Sequence, residues 1–238
     1  MKKIDVKKFR NIIANVVICT ILVAVFAISY AGGVLNVFSK TDTAPLYNGN
    51  LNNKNVTLMI NVYWGTEFIE PMLDIMKEYN VKTTFFVGGL WVSKNGDMLK
   101  KIVEQGHEIG NHGYYHKDHK QISYERNREE IVVTHELVKE ICGVEMNLFA
   151  PPSGSFSNDT LAVCENLGYK TIMWTKDTID WRDKDSDLIC ARAIKNPKGG
   201  DLILMHPTQK TVDALSSIIK FYVENGFKIT NVSENIAV

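Results

Sequence analysis

Cysteine pairs are missing from this sequence. Its four cysteines are Cys19, Cys142, Cys164 and Cys190, and no two of them form a C-x-x-C motif. The three that follow the N-terminal apolar run are scattered and cannot all pair with one another. This usage argues against a disulfide framework and a cysteine-based zinc site, and it predicts small, buried, apolar residues.

An excess of charge of either sign is also absent. The 238 residues carry 27 basic and 27 acidic side chains, for a net charge of zero. Residues 1–10 hold five basic side chains and one acidic side chain, a net charge of +4, so the rest of the chain sums to −4. A body without surplus cations argues against nucleic-acid binding. Internal repeats and low-complexity tracts are missing as well.

One long apolar run is present near the N-terminus. Ile12–Tyr30 reads IIANVVICTILVAVFAISY, nineteen residues that follow the basic stretch. That length is about what a membrane-spanning helix needs, and it exceeds the roughly 7–15 apolar residues of a cleaved signal peptide. We expect a cytoplasmic basic tail at residues 1–10, a transmembrane anchor at 11–34, a linker at 35–55 and one domain at 56–238.

The position of the basic residues predicts the orientation of this anchor. Positively charged flanks stay on the cytoplasmic side, so we expect a single-pass protein of the cell membrane whose domain lies outside. Ser29-Tyr30-Ala31 is a passable cleavage site. Secretion after cleavage is therefore the alternative.

Residues 56–238 alternate between strand-like and helix-like segments. A proline at Pro71 and a serine at Ser123 mark two helix starts. The expected strands are Val56–Val62, Val81–Val87, His107–Asn111, Leu148–Phe149, Lys170–Trp174, Leu202–Met205 and Phe227–Thr230. Such alternation predicts parallel strands joined by crossover helices, and seven strands favour an α/β barrel. In such barrels the chemistry lies at the carboxyl ends of the strands.

The first of these strands ends without a carboxylate. Its end is the stretch NVYWG, Asn61–Gly65, whereas later strands lead into NHGYYH, APPSGSF, DTIDW and LMHPT. His112 and His116 lie just beyond the third strand, four residues apart, and neutral imidazoles suit zinc and neighbouring transition metals. Surface histidines are the alternative interpretation of that spacing. A catalytic metal site also needs a third protein ligand.

His206 ends the apolar strand ILMH. A histidine there suits a general acid, since histidine as a residue type serves in proton transfer, and Asp180 is available to orient it. A core histidine satisfied by the backbone is the alternative. Trp181 suits a sugar groove, or simply packs.

The order of the motifs resembles the NodB-homology polysaccharide deacetylases, carbohydrate esterase family 4. The matching segments are VKTTFFVGG at Val81–Gly89, GHEIGNHGYYH at Gly106–His116, PPSGSF at Pro151–Phe156, DTIDW at Asp177–Trp181 and LMH at Leu204–His206. The resemblance implies a distorted (β/α)7 barrel. It also implies metal-dependent removal of acetyl groups from a polysaccharide, with a divalent metal, zinc first among them, on His112 and His116.

The resemblance also implies further roles and a substrate. His206 becomes the acid and Asp180 its partner. Separately, we expect Trp181, Pro152 and Tyr115 to line the substrate groove. The segments WG and PPSGSF are similar to a sporulation- and envelope-associated branch of Gram-positive proteins, which implies N-acetylated peptidoglycan as the glycan encountered.

Three positions depart from the family pattern. The base aspartate falls on Asn61, the ligand aspartate on Val62, and the arginine of the third motif on Ala150. The losses fit together, because an arginine there would lack its anionic partner, and a buried charge without a partner costs about 3–5 kcal/mol. Glu67 is the candidate replacement carboxylate, as metal ligand or base, and a solvent-exposed loop residue is the alternative interpretation. The amide oxygen of Asn61 could also serve as a ligand, though a weaker one than a carboxylate.

Two functions therefore compete at the level of sequence. The first, which the persisting histidines favour, is a membrane-anchored metal-dependent N-deacetylase of wall glycan. The second is a glycan-binding or scaffold protein that keeps the groove and has lost the base. An O-acetyl esterase or lactam-forming relative is a third. The oligomeric state stays open.

Overall fold

The computed structural model describes residues 6–36 and 44–237, and the side chains of residues 12–27 and 44–237. Contacts divide the chain into two compact units, residues 1–40 and 41–238. In the first, helix α1 spans Val6–Asn36. No helix within the described ranges combines the length and the apolar character that crossing a membrane requires. The predicted anchor at residues 11–34 is thus not supported by the structure.

The predicted tail and linker fall partly beyond what the structure describes. Residues 1–5 of the tail and 37–43 of the linker lie outside the described ranges. Within the linker, Leu46 forms a parallel bridge with Ile172. At least this part of the linker packs against the sheet of the domain.

The second unit alternates short strands and helices along its length. The strands are β1 Asn55–Val62, β2 Thr84–Val87, β3 Glu108–Asn111, β4 Leu148–Phe149, β5 Lys170–Thr171, β6 Lys176–Asp177, β7 Leu202–Met205 and β8 Lys228–Ile229. The helices are α2 Ile69–Glu78, α3 Gly89–Val92, α4 Gly96–Glu104, α5 Tyr124–Cys142, α6 Asn158–Asn166, α7 Ser186–Ile194, α8 Gln209–Glu224 and α9 Val232–Ile236, with a 3₁₀ turn at Pro152–Gly154.

All strand pairs in the sheet are parallel. The order is β5-β4-β3-β2-β1-β7-β6, and β8 pairs with the start of β1. The register sets Asn61 beside Phe86 and Asn111 beside Phe149, so the carboxyl ends meet at one edge. β5 and β6, the two ends of this order, are not paired within the described residues. The expectation of parallel strands is confirmed, and the sheet is a curled half-barrel.

The two faces of the sheet pack in two separate apolar cores. Leu58, Ile60 and Val62 of β1 pack in the core shared with the helices, whereas Met59 packs in the smaller core on the other face of the sheet. This alternation follows from the two-residue period of a strand. It turns Val62 towards the core shared with the helices, called the outer core below. Asn61 turns towards the side of the smaller core, called the inner core below.

Several element boundaries differ from those expected from sequence. Helix α2 begins at Ile69, which puts Pro71 at the third helical position, where its missing N–H costs no helical hydrogen bond. The strand expected at Lys170–Trp174 ends at Thr171, and a separate strand β6 follows. The cap at Ser123 is confirmed, because its hydroxyl accepts a hydrogen bond from the Arg126 N–H.

His107, just before β3, makes the stability of the fold depend on pH. Its ring is buried, its Nδ1 accepts a hydrogen bond from the Thr83 N–H at 3.3 Å, and its Nε2 has no partner among the described residues. Burial, and then the charge of Lys82, lower its pKa from 6.5 to about 4. The unfolded chain therefore binds an extra proton between these values, and stability rises with pH across this window.

We expect His107→Gln to flatten this dependence, since the amide still accepts the Thr83 N–H but does not titrate. The wild type should lose about 3 kcal/mol more than the variant between pH 7 and pH 4, judged from the lowered pKa. Urea unfolding at several pH values measures the difference. Other histidines with lowered pKa values contribute to both proteins equally. Identical pH profiles for the two proteins would contradict the assignment.

Candidate active site

A cavity opens at the carboxyl edge of the sheet. Its volume is about 350 Å³. The lining residues are Asn61, Trp64, His112, His116, Ser153, Trp174, Asp177, Trp181, Leu204 and His206. The structure thus brings together, from four separate strand exits, residues that the sequence analysis singled out one by one. A site at this edge is what parallel α/β architecture favours.

The histidine pair lies at the end of β3. The His112 ring is buried, with Nδ1 2.7 Å from the Ala150 carbonyl oxygen, so Nδ1–H donates there and Nε2 carries the free lone pair. The two rings have centroids 5.1 Å apart. Burial lowers the pKa of both histidines, and the charge of His116 lowers that of His112 further. Both rings are therefore neutral near pH 7.

A buried carboxylate holds the loop that carries this pair. Glu130 Oε2 accepts the backbone N–H groups of Tyr114 and Tyr115 at 2.8 and 2.6 Å, and Oε1 accepts from Arg126 at 2.8 Å. Gly113 has a φ of +73°, and a Cβ there would lie 3.1 Å from His119 Nε2. Both constraints fix the backbone between the two histidines.

His206 is held by Asp180 in a geometry suited to an acid. Its Nδ1 lies 2.8 Å from Asp180 Oδ1, while Asp180 Oδ2 accepts from the His206 N–H and the Thr211 hydroxyl, both at 2.6 Å. The carboxylate is fully buried. Nδ1–H donates to Asp180. The other ring nitrogen, Nε2, makes no hydrogen bond to Asp180.

The end of β1 supplies an amide and two aromatic rings. Asn61 is buried, and its Oδ1 has no partner in the described part of the chain. The Tyr63 ring packs on His116 with centroids 4.5 Å apart, and the Trp64 ring stacks on His206 at 5.6 Å and 14°. Each ring following the strand therefore covers one histidine.

Val62 does not face the histidine pair. Its side chain is fully buried in the core shared with the helices. The position that contacts His116 from this strand is Tyr63. The expectation that Val62 stands where a ligand would be is therefore corrected, because strand alternation turns that side chain outward.

The donors present do not fit a three-ligand metal centre. His112 and His116 offer two neutral nitrogens, but among the described residues no group of three His, Cys, Asp or Glu side chains could hold a metal ion. The polar residue that the end of β1 adds to the lining is Asn61, whose amide carries no charge. Catalytic zinc sites use three protein ligands, often with a carboxylate or a third imidazole.

Three other residues singled out from sequence lie outside the cavity lining. The Glu67 carboxylate accepts the Thr66 N–H at 2.9 Å, in the turn after Gly65. Tyr115 lies in a separate surface pocket with Tyr114 and Arg126. Pro152 does not line the cavity, but its neighbour Ser153 does. Their proposed roles as ligand and groove therefore gain no support from the geometry.

Other lining residues were not predicted as site residues. These are Trp64, Ser153, Trp174, Asp177 and Leu204. The sequence signal for Trp64 as a site residue is its position, three residues past Asn61 and directly before the polar turn Gly65–Glu67. Its stack on His206 joins residues 142 positions apart, which no local pattern indicates.

Comparison with known proteins relates the chain to one family. A family model described as polysaccharide deacetylase matches residues 48–172. YlxY of Bacillus subtilis (strain 168), itself uncharacterized, is 39% identical over 190 residues, which is 80% of this chain and 60% of that protein. A peptidoglycan-N-acetylglucosamine deacetylase of Bacillus cereus is 32% identical over 178 residues, 73% of this chain and 65% of the relative. The chain thus spans less than two thirds of each.

Solved structures include relatives described as a pseudoenzyme and as a carbohydrate esterase. The structure of wild-type BA3943, described as a CE4 family pseudoenzyme from Bacillus anthracis, has a TM-score of 0.80 at 38% identity and covers 83% of this chain and 70% of that one. A BA3943 mutant described as having restored enzymatic activity matches equally well, at 36% identity. Bacillus subtilis PdaA, a family 4 carbohydrate esterase, has a TM-score of 0.75 at 27% identity, over 80% of this chain and 84% of that one.

The orientation of the strand end predicts which substitution can complete a metal site. We expect Tyr63→Asp to bind Zn²⁺ about tenfold more tightly than the wild type or more, because a carboxylate beside His116 adds a third ligand. Tyr63→Asn, without the charge, should gain much less. Isothermal titration with Zn²⁺ measures both.

The matched control is the adjacent residue. Val62→Asp should gain no affinity and should destabilise the fold by about 3 kcal/mol or more, because it buries an unpaired charge among apolar side chains. Tighter Zn²⁺ binding by Val62→Asp than by Tyr63→Asp would show that the strand end turns the other way.

Proposed function

The chain belongs to the polysaccharide deacetylase family, and on that premise we propose that it binds N-acetylated cell-wall glycan, peptidoglycan first, without hydrolysing it at a significant rate. The observation that carries this proposal is the corner of the cavity at the end of β1. An amide stands at Asn61 and an aromatic ring lies on His116, where hydrolysis needs a base and a third metal ligand.

The buried amide of Asn61 suits an acetamido group. Its Oδ1 is an acceptor with no partner in the described residues, and buried acceptors are rarely left unpaired. The N–H of an N-acetyl group is a donor of the right kind. His206 Nε2 can pair with a sugar hydroxyl, since Asp180 fixes the ring through Nδ1. The chain's own residues therefore provide recognition of an N-acetylated sugar.

The same corner disfavours hydrolysis. An amide does not take up a proton near pH 7, and loss of a general base costs on the order of 10²–10⁴-fold in rate. Ala150, on the inner core, removes the cation that would otherwise need a partner at Asn61. The likeness to BA3943, described as a pseudoenzyme, gives further support.

We further propose that the domain acts outside the cytoplasmic membrane, held by one N-terminal helix, with release after cleavage as the alternative. The support is the apolar run Ile12–Tyr30 behind a basic flank. Wall glycan is also reached only from that side. Peptidoglycan is proposed as the glycan because relatives of this chain are described as peptidoglycan deacetylases.

A second candidate function is slow N-deacetylation. The observation that favours it is the intact pair of His206 and Asp180, with the carboxylate buried and fully bonded. That pair could protonate a leaving amine. This function would require a divalent metal, zinc first, on His112 and His116, and the donor set does not favour it.

We expect the purified protein to be retained by insoluble peptidoglycan and to release no acetate above a blank, with Zn²⁺, Co²⁺, Mn²⁺ or no added metal. Co-sedimentation measures retention and an enzymatic acetate assay measures turnover. Asn61→Leu, similar in size but without the amide, should reduce retention, because the acetamido N–H then loses its acceptor.

Chemically deacetylated peptidoglycan is the matched ligand control, and it should be retained less well than the native polymer. Metal-dependent acetate release that His206→Ala abolishes would overturn the non-catalytic proposal in favour of the second candidate. Equal retention of native and deacetylated polymer would contradict recognition of the N-acetyl group.

A further inference from the structure

Trp64 holds an unusual position in this cavity. It follows β1 and stacks nearly parallel on the His206 ring, with centroids 5.6 Å apart. The residue is still 44% exposed, so one face of the indole is covered by the imidazole and the rest is open to the cavity it lines. A large exposed aromatic side chain held in one orientation is a feature of binding sites rather than of cores.

The turn that presents Trp64 is fixed by one backbone conformation and two hydrogen bonds. Gly65, next to it, has a φ of +61°, a conformation that favours glycine. The Gly65 carbonyl accepts the indole N–H of buried Trp91 at 2.7 Å, and Glu67 accepts the Thr66 N–H at 2.9 Å. Glu67 thus stabilises the turn instead of joining the histidines. The indole is pre-organised before any ligand arrives.

Tryptophans are concentrated at this cavity. Three of the four in the sequence line it, namely Trp64, Trp174 and Trp181, and Trp181 is 56% exposed. The one carboxylate of the lining, Asp177, already accepts the Ile179 N–H at 2.8 Å. An aromatic, nearly uncharged lining with a buried amide acceptor suits a neutral ring that is apolar on one face and carries polar groups at its rim.

We propose that Trp64 is a stacking platform for a pyranose ring of the N-acetylated glycan, with His206 supporting the indole from behind. The C–H face of a pyranose packs on the open indole face, while the acetamido group reaches Asn61. Two χ angles, already fixed by the stack, make this contact at a low cost in conformational entropy. The inference rests on the proposed glycan binding and adds the residue that determines it.

The test uses the full chain and a tetramer of N-acetylglucosamine as the probe. We expect Trp64→Ala to weaken binding about five- to tenfold, in line with the energy of an aromatic contact, and Trp64→Phe to retain most of the affinity. Trp64→Leu, apolar but not planar, should resemble the alanine variant. Isothermal titration measures all four proteins, and their unfolding temperatures report on the fold. If the alanine variant does not fold, the comparison of Phe with Leu decides the matter.

A second probe separates stacking from recognition of the acetyl group. With the glucosamine tetramer, Trp64→Ala should weaken binding by the same factor, because stacking involves the ring and not the acetyl group. Asn61→Leu should weaken binding of the N-acetylated tetramer alone. Fluorescence provides an independent measurement, since the change on ligand addition should be much smaller in Trp64→Phe than in Trp174→Phe if the sugar lies on Trp64.

The failures of the two proposals are distinguishable. Wild-type binding that Trp64→Ala and Trp64→Leu leave unchanged would overturn the platform while glycan binding stands. A loss confined to the N-acetylated tetramer would also overturn it, since the contact would then be with the acetyl group. No binding of either tetramer or of peptidoglycan by the wild type would overturn both.

Discussion

The alternation of side chains along β1 is the constraint on which the rest of the site depends. This strand lies between β2 and β7, with one face against the helices and the other against the inner core. Ile60 and Val62 complete the outer core, so Asn61 is committed to the cavity. A carboxylate can enter the site from this strand only where the backbone turns a side chain inward. The chemistry of the cavity is thereby decided by very few positions.

Among the described residues, the corner of the cavity at the end of β1 carries no charged side chain, and this one property accounts for several of its residues. His112 and His116 are neutral because burial lowers their pKa values, and Asn61 and Ala150 contribute no charge. A buried charge without a partner is costly, so losing one member of an ion pair favours losing the other. The corner that results is uncharged and internally consistent. Such a corner agrees with the proposed binding of a neutral sugar.

The sequence predicted the parallel strands, most helix positions and the residues at strand exits, because apolar periodicity and capping residues are local signals. Ser123 and the strand Leu202–Met205 were located correctly for that reason. The side chain of Val62 lies in the core with the helices and not in the site, and a motif aligned by count does not say which way a strand end turns. Strand β6 was missed because two residues carry no period. The stack of Trp64 on His206 depends on tertiary packing alone.

Persistence of the acid pair does not by itself argue for catalysis. Asp180 accepts the His206 backbone N–H and the Thr211 hydroxyl as well as the imidazole, so it ties the end of β7 to the first turn of α8. Removing it would leave these donors buried and unpaired, at about 1–3 kcal/mol for each buried group. His206 in turn supports the Trp64 ring. Stability and ligand binding would thus retain both residues even where no amide bond is ever broken.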